Sequence, residues 1–176
     1  MRHAYGCLQY VPKEDRHRNN KNQLNAGGEQ RRDDDDGGHL IGTLFGGSSG
    51  PENLFPQNLQ LNRGGYRSQE LQWKKLLDAG CSVYVDIYAS AGGYNQRQDS
   101  IYGSFIVVSP DGRSYSDGFS FTNESKAILK EWDGIVAMET IETDPEFSEE
   151  KLDPSYSALT EQEQEIFHCK KRIRRR

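Results

Sequence analysis

Apolar and polar residues alternate along this chain in two rhythms, and each rhythm predicts a different element. In residues 82–89, SVYVDIYA, Val83, Val85 and Ile87 alternate with Tyr84, Asp86 and Tyr88, the period-two pattern of a half-buried strand. Residues 101–108 read as a second strand, and the turn Pro110-Asp111-Gly112 leads into a third over residues 114–121. Over residues 62–79 the period lengthens. Tyr66, Glu70, Trp73 and Leu77 recur at steps of three and four, the mostly apolar stripe of a helix, and Gly80 supplies its C-terminal stop. The weaker signals are short. Residues 8–11 suit a brief strand, His39-Leu40-Ile41 a strand end after Gly37-Gly38, and residues 46–51 a turn-rich connection. Residues 14–30, rich in Asn, Arg and Gly, read as a long polar loop, residues 123–132 as a short helix capped by Asn123, and residues 158–167 as an exposed helix. No internal repeat is visible. Hairpin-linked strands beside one main helix predict an α+β fold built on a small antiparallel sheet.

Composition refines this picture. A chain of 176 residues with 34% hydrophobic residues and a mean hydropathy of -0.89 has room for one domain with a core, and leaves much of the chain polar. Beyond Gly134 the sequence turns acidic, with Pro145 and Pro154 as breakers, and it ends KKRIRRR. The expected division is a domain over residues 1–134 and an acidic C-terminal extension with a basic tail over residues 135–176. No apolar run is long enough to cross a bilayer. The start, MRHAYGCLQYVPKEDR, lacks the apolar stretch of a signal peptide, so an export address is expected elsewhere, as in a larger parent chain. Cys7, Cys81 and Cys169 are odd in number and widely spaced, which favours reduced thiols over a disulfide framework or a zinc site.

A net charge of -5 argues at first sight against a phosphate-rich partner. The charge is uneven, however: residues 33–36 and 139–165 are acidic, while Arg63, Arg67, Lys74 and Lys75 cluster between them. The run of adjacent carboxylates at residues 33–36 reads as a solvated loop, because neighbours in sequence rarely converge on one ion. Tyr84, Tyr88 and Tyr94 could stack on bases, but aromatics on strands are more often packing residues. The basic tail reads as an arm with non-specific phosphate affinity.

The segment from Asp36 to Glu70, DGGHLIGTLFGGSSGPENLFPQNLQLNRGGYRSQE, carries the chemistry. A neutral imidazole such as His39 can take a proton from water. A neutral asparagine carbonyl can hold a divalent cation without cancelling its charge. Together these suffice for metal-assisted phosphodiester hydrolysis. Taken singly, His39 is an ordinary histidine, Asn62 a helix cap, Asn53 a turn residue and Glu70 a surface charge. Their common order and spacing is what sets them apart. On an ideal helix, Asn62 and Glu70, eight residues apart, differ by only ~80° and can face one cleft.

This pattern resembles the DNA/RNA non-specific endonucleases, which carry a ββα-metal (His-Me finger) active site, over roughly residues 14–123. The resemblance implies that His39, in DGGH, is the general base and that Asn62, in LNRG, ligates the metal. It implies further that Asn53, in NLFPQ, helps position the site, that Glu70 contacts metal-bound water, and that Asp36 buttresses the motif. Magnesium is the implied ion, with manganese as an alternative; DNA is the implied substrate, with RNA as a second, and the products would carry 5′-phosphates. Gly37 departs from the pattern, since it stands where DRGH nucleases carry a phosphate-binding arginine. Arg16, Arg18, Arg31, Arg32, Arg63 and Arg67 are the candidates for that role, with Arg63 and Arg67 favoured because they flank the metal residue. The GGHLI form is similar to the branch found as C-terminal toxin domains of secreted bacterial polymorphic toxins. That implies an effector delivered to a target cell and a dedicated immunity protein in the producer. The rival readings are a catalytically silent relative that binds nucleic acid or protein, and a secreted nutritional or virulence nuclease.

Overall fold

The computed structural model describes residues 1–92 and 97–124. In chain order these residues form β1 (Arg2–Cys7), α1 (Asn20–Asn25), β2 (Asp35–His39), β3 (Leu54–Asn58), α2 (Tyr66–Asp78), β4 (Ser82–Ser90), β5 (Ser100–Val108) and β6 (Ser114–Thr122), with short 3-10 turns between them. The fold is α+β, as the two rhythms predict. Four antiparallel strands line up in the order β1-β4-β5-β6, and β2 and β3 make a separate antiparallel pair. The consecutive units β2, β3 and α2 form a ββα element laid against the larger sheet.

The alternation in β4 divides as expected. Val83, Val85, Ile87 and Ala89 are buried, as are Ile101, Phe105 and Val107 on β5 and Phe119 on β6. Trp73 and Tyr66 of α2 meet this face at aromatic edges: Trp73 lies 6.0 Å from Phe105 and 5.6 Å from Phe119 between ring centroids, and Tyr66 lies 6.3 Å from Trp73. Such edge contacts add to what burying the rings already contributes. On the outer face Tyr88 does pack on neighbours, stacked 4.2 Å from His3 and 5.7 Å from Tyr102.

Several expectations for the amino-terminal half are corrected. The first strand is Arg2–Cys7, not residues 8–11; the pairing with β4 runs from Arg2 opposite Ala89 to Cys7 opposite Tyr84. Its alternation is hard to read because β1 is a sheet edge with only half-covered side chains. The polar stretch 14–30 is not a plain loop. Asn19 caps α1 by accepting a hydrogen bond from the Asn22 amide, and 3-10 turns flank the helix. The main helix opens with a wide π-turn, Leu61–Gly65, before α2 proper. Gly80, with φ of +87°, closes it. Cys7 is disulfide-bonded, where spacing favoured reduced thiols over a disulfide. The helix expected at 123–132, the one at 158–167, Tyr94 and the division at residue 134 lie outside the described residues, apart from Asn123 and Glu124. Asn123 itself is fully buried and works as a clamp, described below.

Candidate active site

The β2–β3 pair places His39 at the end of a strand, opposite Leu54. The chain then passes through the π-turn that carries Asn62 and Arg63 into α2, which carries Arg67 and Glu70. A π-turn takes in an extra residue per turn, so each residue rotates less than in an α-helix. That underwinding turns Asn62 further towards the face of Glu70 than an ideal helix does. The outcome is one cleft of about 780 Å³ lined by Asp36, His39, Asn62, Arg63, Arg67 and Glu70, with Arg18 and Tyr66 also on its walls.

Each polar group in this cleft is held in a definite state. The His39 imidazole is pushed down to about 4, first by burial and then by the charge of Arg18, so it is neutral at physiological pH. Its Nε2 is buried with no hydrogen-bond partner among the described residues. A neutral imidazole with unclaimed nitrogen capacity can accept a proton. Burial pushes the Glu70 carboxyl up, against the opposing pull of Arg67, whose Nη1 donates to its Oε2 at 2.9 Å. Glu70 fits because residue 42 is glycine: a Cβ there would stand 2.3 Å from its Oε1. Tyr66 donates its hydroxyl to the Leu40 carbonyl, which ties α2 to the residue after His39. Burial raises that phenol well above its ordinary value.

Asp36 organises Asn62 and Arg63 on the helix side of the cleft. Arg63 grips it with two bonds of 2.8 Å, and the Asn62 amide nitrogen donates to it at 3.0 Å. The Arg63 guanidinium holds the Asp36 carboxyl below its usual range, so it stays an anion and fixes the Asn62 amide. With its nitrogen so engaged, Asn62 has its carbonyl oxygen free of any partner among the described residues. Among those residues no three His, Cys, Asp or Glu side chains converge. The Asn62 carbonyl and the Glu70 carboxyl are oxygen donors on the wall of this cleft. This small, all-oxygen set suits magnesium, a hard ion that keeps several of its waters.

Asn53 does not line the cleft. Its Oδ1 accepts from the Ile41 amide at 3.0 Å, and its Nδ2 donates to the Ile41 and Ser48 carbonyls at 2.8 Å each. It clamps the backbone two residues past His39, a positioning place rather than a contact with reacting groups. The favoured arginines Arg63 and Arg67 do line the cleft, each already paired with a carboxylate.

Sequence reading passed over a second group of residues that seats the hairpin on the sheet. Arg97 binds Asp35 through Nε at 2.7 Å, and both side chains are almost wholly buried. Burial alone would raise the Asp35 carboxyl, but the Arg97 hydrogen bonds bring it below its usual value. Asn123 donates to the Pro56 and Gln98 carbonyls at 2.8 and 2.6 Å and accepts from the Asn58 amide at 2.7 Å. No local pattern announces either clamp, since the partners lie 62 and 65 residues apart in sequence.

A family profile described as DNA/RNA non-specific endonuclease matches residues 1–101, more than half of the chain. The chain belongs to that family. Two curated relatives are similar over part of the chain. Type VII secretion system protein EssD of Staphylococcus aureus (strain USA300) is 41% identical over 90 residues, which cover 48% of this chain and 15% of that protein. Probable deoxyribonuclease RhsA of Dickeya dadantii (strain 3937) is 37% identical over 65 residues, which cover 37% of this chain and 4% of that protein. The chain thus matches a small part of each much longer relative. Among the described residues, no helix is long and apolar enough to cross a membrane.

Proposed function

We propose that this chain is a metal-dependent, non-specific endonuclease that hydrolyses phosphodiester bonds of DNA, with RNA as a second substrate. The observation that carries the reading is the neutral, half-buried His39 imidazole, its Nε2 without a partner among the described residues, lining one cleft with Asn62 and Glu70. His39 takes the proton of an attacking water as that water's oxygen bonds to phosphorus. The bond from phosphorus to the sugar oxygen breaks, the departing oxygen gains a proton from solvent, and a 5′-phosphate end results. Asn62 would hold a magnesium ion, or manganese in its place, with Glu70 orienting the ion's waters. When bound, such a cation stabilises charge on the phosphate and on the departing oxygen. Asp36 fixes Asn62, Asn53 steadies the loop after His39, and Arg63 and Arg67 present positive charge to the phosphates from the helix side.

The two relatives, one named for a secretion system and one as a probable deoxyribonuclease, support a wider proposal. In it, the chain is the toxic domain of a secreted bacterial effector that acts in a target cell, and the producer is protected by a cognate immunity protein. The first test is cleavage of supercoiled plasmid by the full chain with magnesium, beside an EDTA control and His39→Ala. We expect nicking and degradation that EDTA abolishes and that His39→Ala slows by roughly 10²- to 10⁴-fold. Intact plasmid, with linear DNA and RNA also untouched, would overturn the nuclease reading in favour of a silent binding module.

A further inference from the structure

Gly37 stands where the resemblance implies a phosphate-binding arginine, and the structure shows why no side chain stands there. A Cβ on Gly37 would lie 2.2 Å from the Gln23 carbonyl oxygen and 2.6 Å from the Gln23 Cα. Those are backbone atoms of α1, which lies directly against β2. The helix is fastened in place. Arg31 donates to the Gln23 and Leu24 carbonyls at 2.6 and 3.0 Å and to the Asp35 carbonyl at 2.7 Å, and Asn22 donates to the Ser49 carbonyl at 3.0 Å. An arginine at position 37 and α1 in this position exclude each other.

Of the candidate arginines, Arg16 and Arg32 do not line the cleft, and the others can be sorted by what already holds them. Arg31 is taken up by the three carbonyls that anchor α1, Arg63 by Asp36 and Arg67 by Glu70. Arg16 donates to the Val11 carbonyl at 2.8 Å and lies over the Tyr10 ring. Arg18 differs from all of these. It is exposed, lines the cleft, and makes no hydrogen bond or ion pair among the described residues. It shares the cleft wall with His39, Asn62 and Glu70. A guanidinium offers paired donors that match two non-bridging phosphate oxygens.

We infer that Arg18, presented from the segment that leads into α1, is the residue that binds the scissile phosphate in place of the arginine that β2 cannot carry. The helix that fills the space beside Gly37 is thus the same segment that brings the replacement charge to the cleft. This rests on the nuclease reading above, and the experiment separates the two. Steady-state cleavage of linear duplex DNA is measured over a salt series for the full chain, Arg18→Ala and Arg18→Lys. Binding of the same DNA is measured on non-cleaving His39→Ala with and without Arg18→Ala. Because Arg18 is exposed and has no partner among the described residues, its replacement should leave the melting temperature unchanged.

The expected result is a rise in KM of about tenfold for Arg18→Ala with kcat nearly kept, and a matching loss of binding in the His39→Ala background. The slope of log affinity against log salt should fall by about one. Arg18→Lys should recover part of the loss, since it keeps the charge without the paired donors. Active wild-type protein with Arg18→Ala unchanged in KM, binding and salt slope overturns the Arg18 assignment and leaves the nuclease standing. Wild-type protein that neither binds nor cuts DNA overturns both.

Discussion

The sheet with its helix and the hairpin with its cleft are built by opposite means. The first is apolar and periodic: every second residue of β4 and β5 and two rings of α2 interlock, and no single polar bond decides the arrangement. The second also buries Leu54 and Phe55 of β3, but its other strand is polar and is held by side-chain bonds. β2 is Asp35-Asp36-Gly37-Gly38-His39, and it is seated by the buried Asp35–Arg97 pair, by the Asn123 clamp on β3, and by Tyr66 reaching Leu40. The sheet region would tolerate exchange of one apolar residue for another of similar volume. The hairpin region depends on a few side chains whose replacements cannot be close equivalents.

Removing the keystone of the apolar region gives the largest effect. Trp73→Ala should destabilise the protein by about 4 to 5 kcal/mol in denaturant titration, while the molecules that remain folded keep a normal KM. Arg97→Met should cost about 3 kcal/mol by leaving the buried Asp35 carboxylate unpaired. It should also lower cleavage per folded molecule, because Asp35 and His39 share a strand. If Arg97→Met lowered stability alone, the hairpin would be held by packing as the sheet is, and the contrast would fail.

The smallest expected effect concerns pH. The folded His39 value of about 4 lies below the ordinary 6.5, so on acidification the unfolded chain takes up this proton first. The stabilisation is complete above about pH 6.5 and is lost as the pH falls towards 4. Between pH 6.5 and 5 this should cost roughly 1 to 2 kcal/mol after allowance for screening. Melting temperatures of wild type and His39→Gln over that window measure it, the variant showing the shallower slope.

The legibility of the sequence follows the same division. Val83, Val85 and Ile87 declare a strand because burial acts on each residue independently, and Trp73 and Tyr66 declare a helix face in the same way. His39, Asn62 and Glu70 were legible as a set because a chain-local unit of strand, strand and helix brings them together in sequence order. The partners of Asp35 and Asn58 were not legible, because those bonds cross the fold between segments far apart in sequence. α1 was hidden for another reason: its six residues carry no buried side chain, so no periodic signal exists, and its place is set by Arg31 and by the absence of a side chain at Gly37. The underwound turn at Leu61–Gly65 also leaves no mark in composition.

The pairing of β1 with β4 joins Arg2 to Ala89, and everything that makes up the cleft lies on the chain between those two strands. Bringing such distant segments together costs more chain entropy than closing the local meander of β4, β5 and β6. Assembly is therefore expected to run from the meander outwards, with the amino-terminal strand joining late and drawing in the segment that bears α1. A partly made or partly unravelled chain would hold the base, the asparagine and the glutamate on the same strand of sequence and yet present no working arrangement of them. On the proposed function, the order of assembly would then govern when the cleft can act, since it is complete only once the first strand has joined the sheet.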